Sequence, residues 1–262
     1  MKNRKPMHIG IIPDGNRRWA EQHKLSREAG YAYGLKPGLL LLQQAKTYGI
    51  QEITYYGFTV DNCRRPKEQV QAFQQACVQA VHDLATEGVD LLVIGNTDSK
   101  CFPEELKKYT NRTAINGGGI LVNYGWEWDL ARLDRPGSDR KQIYRELHSH
   151  DVSRVDLVIR WGGMRRLSGF LPVQSVYADF YVEEKLWPDY EKSDFLRVKT
   201  ITLGYTLPKN LVNKATLSNC RLYVTAQNPL VFTNYTGVDP EGAATYASPS
   251  VSSWIFGVNV SF

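Results

Sequence analysis

The chain is poor in cysteine, has no long apolar run and carries no strong charge of one sign. Each shortage excludes a class of protein. Its four cysteines, Cys63, Cys77, Cys101 and Cys220, stand far apart with no C-x-x-C pair. They offer neither a zinc site nor a disulfide framework, and a reducing compartment is expected. The first residues are basic (Lys2, Arg4, Lys5) but no long apolar stretch follows them. The expectation is a cytoplasmic protein without signal peptide or transmembrane helix. A net charge of +5 suits a phosphorylated substrate or an anionic membrane surface. It is too weak to argue for nucleic acid. His23, His82, His148 and His150 show no metal-ligand spacing, and two residues apart, as His148 and His150 are, do not share a helix face. No internal repeat is present.

What is present is alternation of strand-like and helix-like text in a chain of 262 residues, enough for one large domain or two small ones. Residues 9–12 are an apolar run that reads as a buried strand. Pro13 stops it, Asp14-Gly15-Asn16 is turn chemistry, and a helix starts at Arg17. Strands are also predicted over 52–58, 89–94, 119–125 and 155–160. Helices are predicted over 39–45, 68–85, 103–109 and 143–150, with a loop at 133–141. Near-continuous apolar strands alternating with helices define an α/β fold, a mainly parallel central sheet flanked by helices. Ligands of such sheets sit at the carboxyl ends of the strands. The turns following Ile12, Phe58, Val122 and Ile159 bring Asp14, Asn62, Arg65, Asn123, Arg160 and Arg166 to that edge.

The first of these turns has the chemistry of an anion site. A helix N-terminus presents unpaired amides and a positive dipole end, and Arg17 and Arg18 add guanidinium forks that match phosphate oxygens. Asp14 fits among them if Mg²⁺ bridges it to a diphosphate. The alternative at this point is an ordinary turn with a capping Asp.

Residues 8–20, His-Ile-Gly-Ile-Ile-Pro-Asp-Gly-Asn-Arg-Arg-Trp-Ala, resemble the first signature of the cis-prenyltransferases, the undecaprenyl diphosphate synthase family. That family usually has Met in place of Pro13 and often Gly in place of Arg17. Residues 56–66 resemble its Phe-Ser-x-Glu-Asn-x-x-Arg-Pro block. Asn123-Tyr124-Gly125 with Trp128-Asp129 resembles its Asn-Tyr-Gly-Gly-Arg-Trp-Asp block, and residues 155–190 its last signature. Several blocks in order and spacing are more specific than any one of them.

The resemblance implies that an allylic prenyl diphosphate ionises and isopentenyl diphosphate attacks the cation, leaving a cis double bond. It implies Asp14 on Mg²⁺, and the amides of Gly15, Asn16, Arg17 and Arg18 with the Arg18 and Arg27 side chains around the leaving diphosphate. Asn16 and Asn62 would position the reacting centre, and Arg65 would hold its loop or reach phosphate. Arg160, Arg166 and Ser168 would bind isopentenyl diphosphate, and Asp179 would be a second metal ligand in place of the family's Glu. A homodimer, with membrane contact only through product, is implied as well. Apolar helices over 35–48 and 68–85 would wall a tunnel for the growing chain, or simply form core. Tyr31 departs from a common His, Trp161 from Thr, Met164 from an acid and Pro172-Val173 from a Leu-Trp pair, which puts substrate preference in question.

The resemblance ends near Tyr190, before the family's Arg-x-Gly element. Residues 194–208, 222–228 and 235–240 and the terminal Phe262 instead resemble the last strands of SusC-like, TonB-dependent outer-membrane receptors. Ile201, Leu203, Tyr205 and Leu207 alternate with polar or small residues, as strands do. Three strands do not close a barrel. The expected organisation is a prenyltransferase-like domain over 1–190 and a β tail over 191–262, a chimera of two sources. The rival readings are a non-catalytic partner subunit of a cis-prenyltransferase and an outer-membrane receptor fragment.

Overall fold

The computed structural model describes residues 6–111, 117–133, 139–191, 197–206, 219–231 and 253–261. The basic residues 2–5, the 134–138 part of the predicted loop, Leu207, residues 235–240 and Phe262 lie outside them. The chain divides into two compact units, Met1–Tyr190 and Glu191–Phe262.

In the first unit six parallel strands form one sheet: β1 (His8–Ile12), β2 (Glu52–Tyr56), β3 (Asp90–Ile94), β4 (Gly117–Leu121), β5 (Leu157–Arg160) and β6 (Asp179–Val182). Their order is β3-β4-β2-β1-β5-β6. Helices α1 (Asn16–Gln22), α2 (Gly30–Tyr33), α3 (Leu35–Thr47), α4 (Lys67–Thr86), α5 (Trp126–Leu130) and α6 (Arg140–Glu146) accompany them. Every residue of β1 and β2 is buried, which is why both strands read as unbroken runs rather than alternating ones. The core beneath includes Ile12, Leu92, Leu121, Val158 and Phe170.

β1 lies between β2 and β5, with Ile11 opposite Tyr55 on one side and Ile12 opposite Arg160 on the other. The chain leaves β1 toward β2 and returns on β5, so the loops after β1 and β5 diverge. A crevice at such a reversal is where open parallel sheets bind ligands.

Several local expectations shift. The helix predicted over 143–150 runs Arg140–Glu146, because the Asp139 side chain accepts from the Lys141 amide and starts it earlier. Leu147 then turns extended and is fully buried. The charged stretch at Glu104–Tyr109 forms a 3₁₀ rather than an α-helix. Strand β6 and helix α5, each short, were not anticipated as elements.

The second unit is an antiparallel sheet of β7 (Arg197–Thr206), β8 (Asn219–Val231) and β9 (Ser253–Ser261), with β8 in the middle. Trp254, Ile255, Phe256 and Val258 of β9 are exposed. No helix among the described residues is long and apolar enough to cross a membrane.

Candidate active site

Gly15 caps α1 with φ +111°, a conformation that costs a side chain dearly. A Cβ there would also stand 2.8 Å from Leu186. Neither a side-chain cap nor an acid occupies the first turn of α1, and Gly15, Asn16, Arg17 and Arg18 line the crevice. Asp14 precedes them. Its Oδ2 accepts from Arg160 Nη2 at 2.6 Å, and Arg18 Nη2 lies 3.6 Å from its Oδ1. Arg18 also donates to the Gly162 carbonyl at 2.9 Å.

Arg160 is the last residue of β5 and only 4% exposed. Its Nη1 donates to Ser168 Oγ at 2.8 Å and to the Arg166 carbonyl. Ser168 holds φ +52° between Leu167 and Gly169, and its carbonyl accepts from the Tyr56 hydroxyl at 2.8 Å. A buried guanidinium thus fixes the loop after β5 against the turn after β1. Its Nε has no hydrogen-bond partner among the described residues.

A polar cleft of about 560 Å³ opens here, lined by Asp14, Gly15, Asn16, Arg17, Arg18, Arg27, Asn62, Arg65, Arg160, Arg166 and Ser168 together with Glu21, Asp61 and Tyr56. All the residues singled out in the sequence for catalysis and substrate binding therefore meet in one cleft. Their states differ. Arg27 pairs with Glu21, and Arg17 Nη1 donates to Gln69 Oε1 at 3.4 Å. The Arg166 side chain is exposed. Asn62 Oδ1 accepts from the Thr59 amide at 3.0 Å, closing the turn that carries Arg65. Burial pushes the Tyr56 hydroxyl well above its ordinary value, with the Asp61 carboxylate adding to the effect, so it stays a donor.

Two expected members stand elsewhere. Asp179 opens β6 opposite Leu157, the first residue of β5, whereas Arg160 ends β5. Asp179 is thus at the amino end of the sheet, roughly 10 Å along the strands from the cleft. It is exposed and does not line the cleft. A motif position predicts a neighbour in sequence, and parallel register decides which end of the sheet it occupies. Asn123 is buried and does not line the cleft; it accepts from Cys63 Sγ at 3.3 Å and donates to the Asn96 carbonyl at 3.0 Å. Among the described residues no three of His, Cys, Asp and Glu cluster as a metal site. Asp14 in the cleft remains a fit for Mg²⁺, which binds through one or two carboxylates plus substrate phosphates.

A second, apolar cavity lies between α3 and α4. It is lined by Leu35, Gly38 and Leu39 on one side and by Phe73, Ala76, Cys77, Ala80 and Leu84 on the other. The α4 residues recur at helical spacing on one face. Burial pushes the Cys77 thiol up to about 12. Pro13, Asn16, Tyr31, Gly57 and Phe73 line both cavities. Sequence reasoning passed over Phe73 as one more apolar helix position. The signal that would have found it is its place one helical turn before Ala76 and Cys77, on the face turned toward Tyr31.

These features agree with what the chain is similar to. The family model described as "Putative undecaprenyl diphosphate synthase" matches residues 12–201, running past Tyr190 into β7. The chain is 33% identical to the ditrans,polycis-undecaprenyl-diphosphate synthase ((2E,6E)-farnesyl-diphosphate specific) of Escherichia coli K12, over 72% of this chain and 83% of that one. It is equally 33% identical to an isoprenyl transferase of Heliobacterium mobile, over 74% and 84%. The crystal structure of lavandulyl diphosphate synthase from Lavandula x intermedia, in complex with dimethylallyl diphosphate, superposes with a TM-score of 0.63. It has 25% identity and covers 72% of this chain and 91% of that one. A parallel sheet with a diphosphate-type cleft at its carboxyl edge and an apolar cavity beside it defines a prenyl diphosphate enzyme. The chain belongs to the undecaprenyl diphosphate synthase family, the cis-prenyltransferases.

Proposed function

We propose that this chain condenses isopentenyl diphosphate with an allylic prenyl diphosphate to give a cis-polyprenyl diphosphate. The observation that carries the reading is the junction of a cationic cleft with an apolar cavity through five shared residues. A prenyl diphosphate has the same two halves, a diphosphate head and a hydrocarbon tail.

The roles are those the family resemblance implies, and the gathering of these residues in one cleft supports them. The α1 amides with Arg18 and Arg27 hold the leaving diphosphate, and Arg160, Arg166 and Ser168 hold that of isopentenyl diphosphate. The allylic C–O bond breaks and its electron pair leaves on the diphosphate. The isopentenyl double bond then forms the new C–C bond, and the adjoining carbon gives a proton to the departed diphosphate while its C–H electron pair becomes the new cis double bond. Asn16 anchors its amide on the Pro13 carbonyl at 3.1 Å, while its Oδ1 is buried without a hydrogen-bond partner among the described residues. That acceptor and Asn62 orient the reacting carbons. Asp14 would hold Mg²⁺, which when bound neutralises charge on the departing diphosphate. Little covalent chemistry falls to the protein, and positioning and charge stabilisation supply the rate.

The reading includes a cytoplasmic homodimer that meets the membrane only through its product. Support for the dimer comes from β6, an edge strand that carries exposed Phe180 and follows exposed Val176 and Tyr177, because an open apolar edge invites pairing. Asp179 would then lie in the subunit interface. For the tail, we keep the chimera reading, supported by its antiparallel strands and their receptor-like text. A continuous transcript across codons 185–200 in the source genome would refute it.

The test of the enzyme is incubation of the full chain with radiolabelled isopentenyl diphosphate, Mg²⁺ and either dimethylallyl or farnesyl diphosphate. Label in a longer prenyl diphosphate is expected. A folded chain that binds both diphosphates yet incorporates none would instead be a non-catalytic partner subunit.

A further inference from the structure

The five residues common to the two cavities form a neck, and only two of them are able to move aside. Gly57 has no side chain and the Pro13 ring is rigid. Asn16 is held by its bond to Pro13. The remaining pair, Tyr31 of α2 and Phe73 of α4, stack face to face with centroids 4.4 Å apart and planes 3° from parallel. Phe73 also meets Phe58 edge-on at 5.4 Å. Arg65 fastens the stack from the cleft side. Its Nη1 donates to the Tyr31 hydroxyl at 2.8 Å, and its guanidinium sits 5.8 Å from the Phe73 centroid.

We propose that the Tyr31–Phe73 stack, latched by Arg65, is the gate between the two cavities and a determinant of which allylic tails this chain accepts. The inference rests on the prenyl diphosphate reading of the site. A short tail of one isoprene unit stays in the cleft above the closed stack. A longer tail has to part the rings to enter the apolar cavity. Below the gate that cavity follows α4 from Phe73 to Asp83, about 15 Å at a rise of about 1.5 Å per residue. An isoprene unit spans four chain bonds of roughly 1.5 Å, so about three units fit beyond the rings. Arg65 lines the cleft. An arriving diphosphate offers it a stronger, charge-assisted bond than the Tyr31 hydroxyl does. Head-group binding therefore releases the latch and lets the tail through.

The experiment is calorimetric binding of inorganic pyrophosphate, dimethylallyl diphosphate and farnesyl diphosphate to the full chain, without isopentenyl diphosphate so that no turnover occurs. Wild type is compared with Phe73→Ala, Phe73→Leu and Tyr31→Phe. Removing the stack removes an attraction that opposes entry of long tails. In Phe73→Ala the affinity for farnesyl relative to dimethylallyl diphosphate should rise roughly threefold to tenfold, the size of an aromatic pair. Phe73→Leu, which keeps most of the volume, should move the ratio the same way. Tyr31→Phe, which keeps the rings and loses the latch, should move it less; pyrophosphate should bind wild type and both Phe73 variants alike, and Tyr31→Phe at least as tightly, because there Arg65 gives up no bond to a hydroxyl. An unchanged or falling ratio in both Phe73 variants overturns the gate and leaves the prenyl reading standing. If farnesyl diphosphate binds wild type no better than pyrophosphate does, the prenyl reading fails and the gate with it.

Discussion

The polar cleft and the apolar cavity share Pro13, Asn16, Tyr31, Gly57 and Phe73 and little else. The cleft is built from loops at strand ends and held by a buried guanidinium that bridges Asp14 and Ser168. The cavity is built from helix faces, with small side chains, Ala76, Cys77 and Ala80, that leave space instead of filling it. Electrostatics shapes one and the absence of bulk shapes the other. The two should therefore respond to different perturbations, and that separation can be attacked from either side.

The largest effect is expected in the cleft. Arg160→Ala strips the bridge between the loops after β1 and β5. In the proposed reaction Arg160 positions isopentenyl diphosphate and fixes Asp14, and misplacing a reactant by about 1 Å costs roughly 100-fold, so turnover should fall at least that far. Leaving a buried partner unpaired costs about 3–5 kcal/mol, and partial exposure of Asp14 puts this case at or below the lower end. Steady-state kinetics and denaturant melts on Arg160→Ala and Arg160→Lys separate the two losses. Near-normal turnover in Arg160→Ala would break the assignment of head groups to the cleft.

A milder effect is expected from filling the cavity. Ala80→Phe places a ring on the face of α4 that lines it. Farnesyl diphosphate affinity should drop roughly tenfold, about 1.4 kcal/mol, while pyrophosphate affinity stays put. Products should also shorten, which thin-layer chromatography of labelled products would reveal. Equal losses for both ligands would mean that the cavity and the cleft are not separable in the way their linings suggest.

The smallest effect concerns Cys77, in the cavity wall with its thiol pushed up to about 12 by burial. The unfolded chain ionises this thiol near its ordinary value, about 8.5. Its folded form holds the proton to higher pH, so its contribution to stability is full below the unfolded value and declines as pH rises toward 12. Stability of wild type relative to Cys77→Ala should narrow between pH 9 and pH 11 by chemical denaturation. Iodoacetamide at pH 8 should leave Cys77 unmodified in the folded chain. Rapid native alkylation would show that the cavity is open to water.

Much of the cleft was legible in the sequence because its residues are costly anywhere else. Asp14, Arg18, Arg160 and Ser168 at strand ends have few structural uses, and the topology of a parallel sheet gathers them. The cavity was harder to read, since an apolar helix face looks the same whether it covers core or lines a void. Phe73 and Cys77 recur at helical spacing within the apolar helix expected over 68–85. Only packing shows that Cys77 lies against the cavity while Leu41 and Leu42 of α3 are buried in core. Asp179 went astray for a further reason. Its motif neighbours are at the site, but β6 begins with it, and a parallel strand that begins at the amino edge cannot deliver its first residue to the carboxyl edge. Helix α6 slipped by three residues because a single capping Asp139 outweighed the apolar pattern downstream.

The most direct test is a crystal structure of the full chain with farnesyl thiolodiphosphate, whose unreactive sulfur link keeps head and tail joined. The account predicts the diphosphate beside Asp14, Arg18 and the α1 amides, and the tail passing between a parted Tyr31 and Phe73 to reach Ala80. A tail lying across the protein surface, with Tyr31 and Phe73 still stacked, would contradict it.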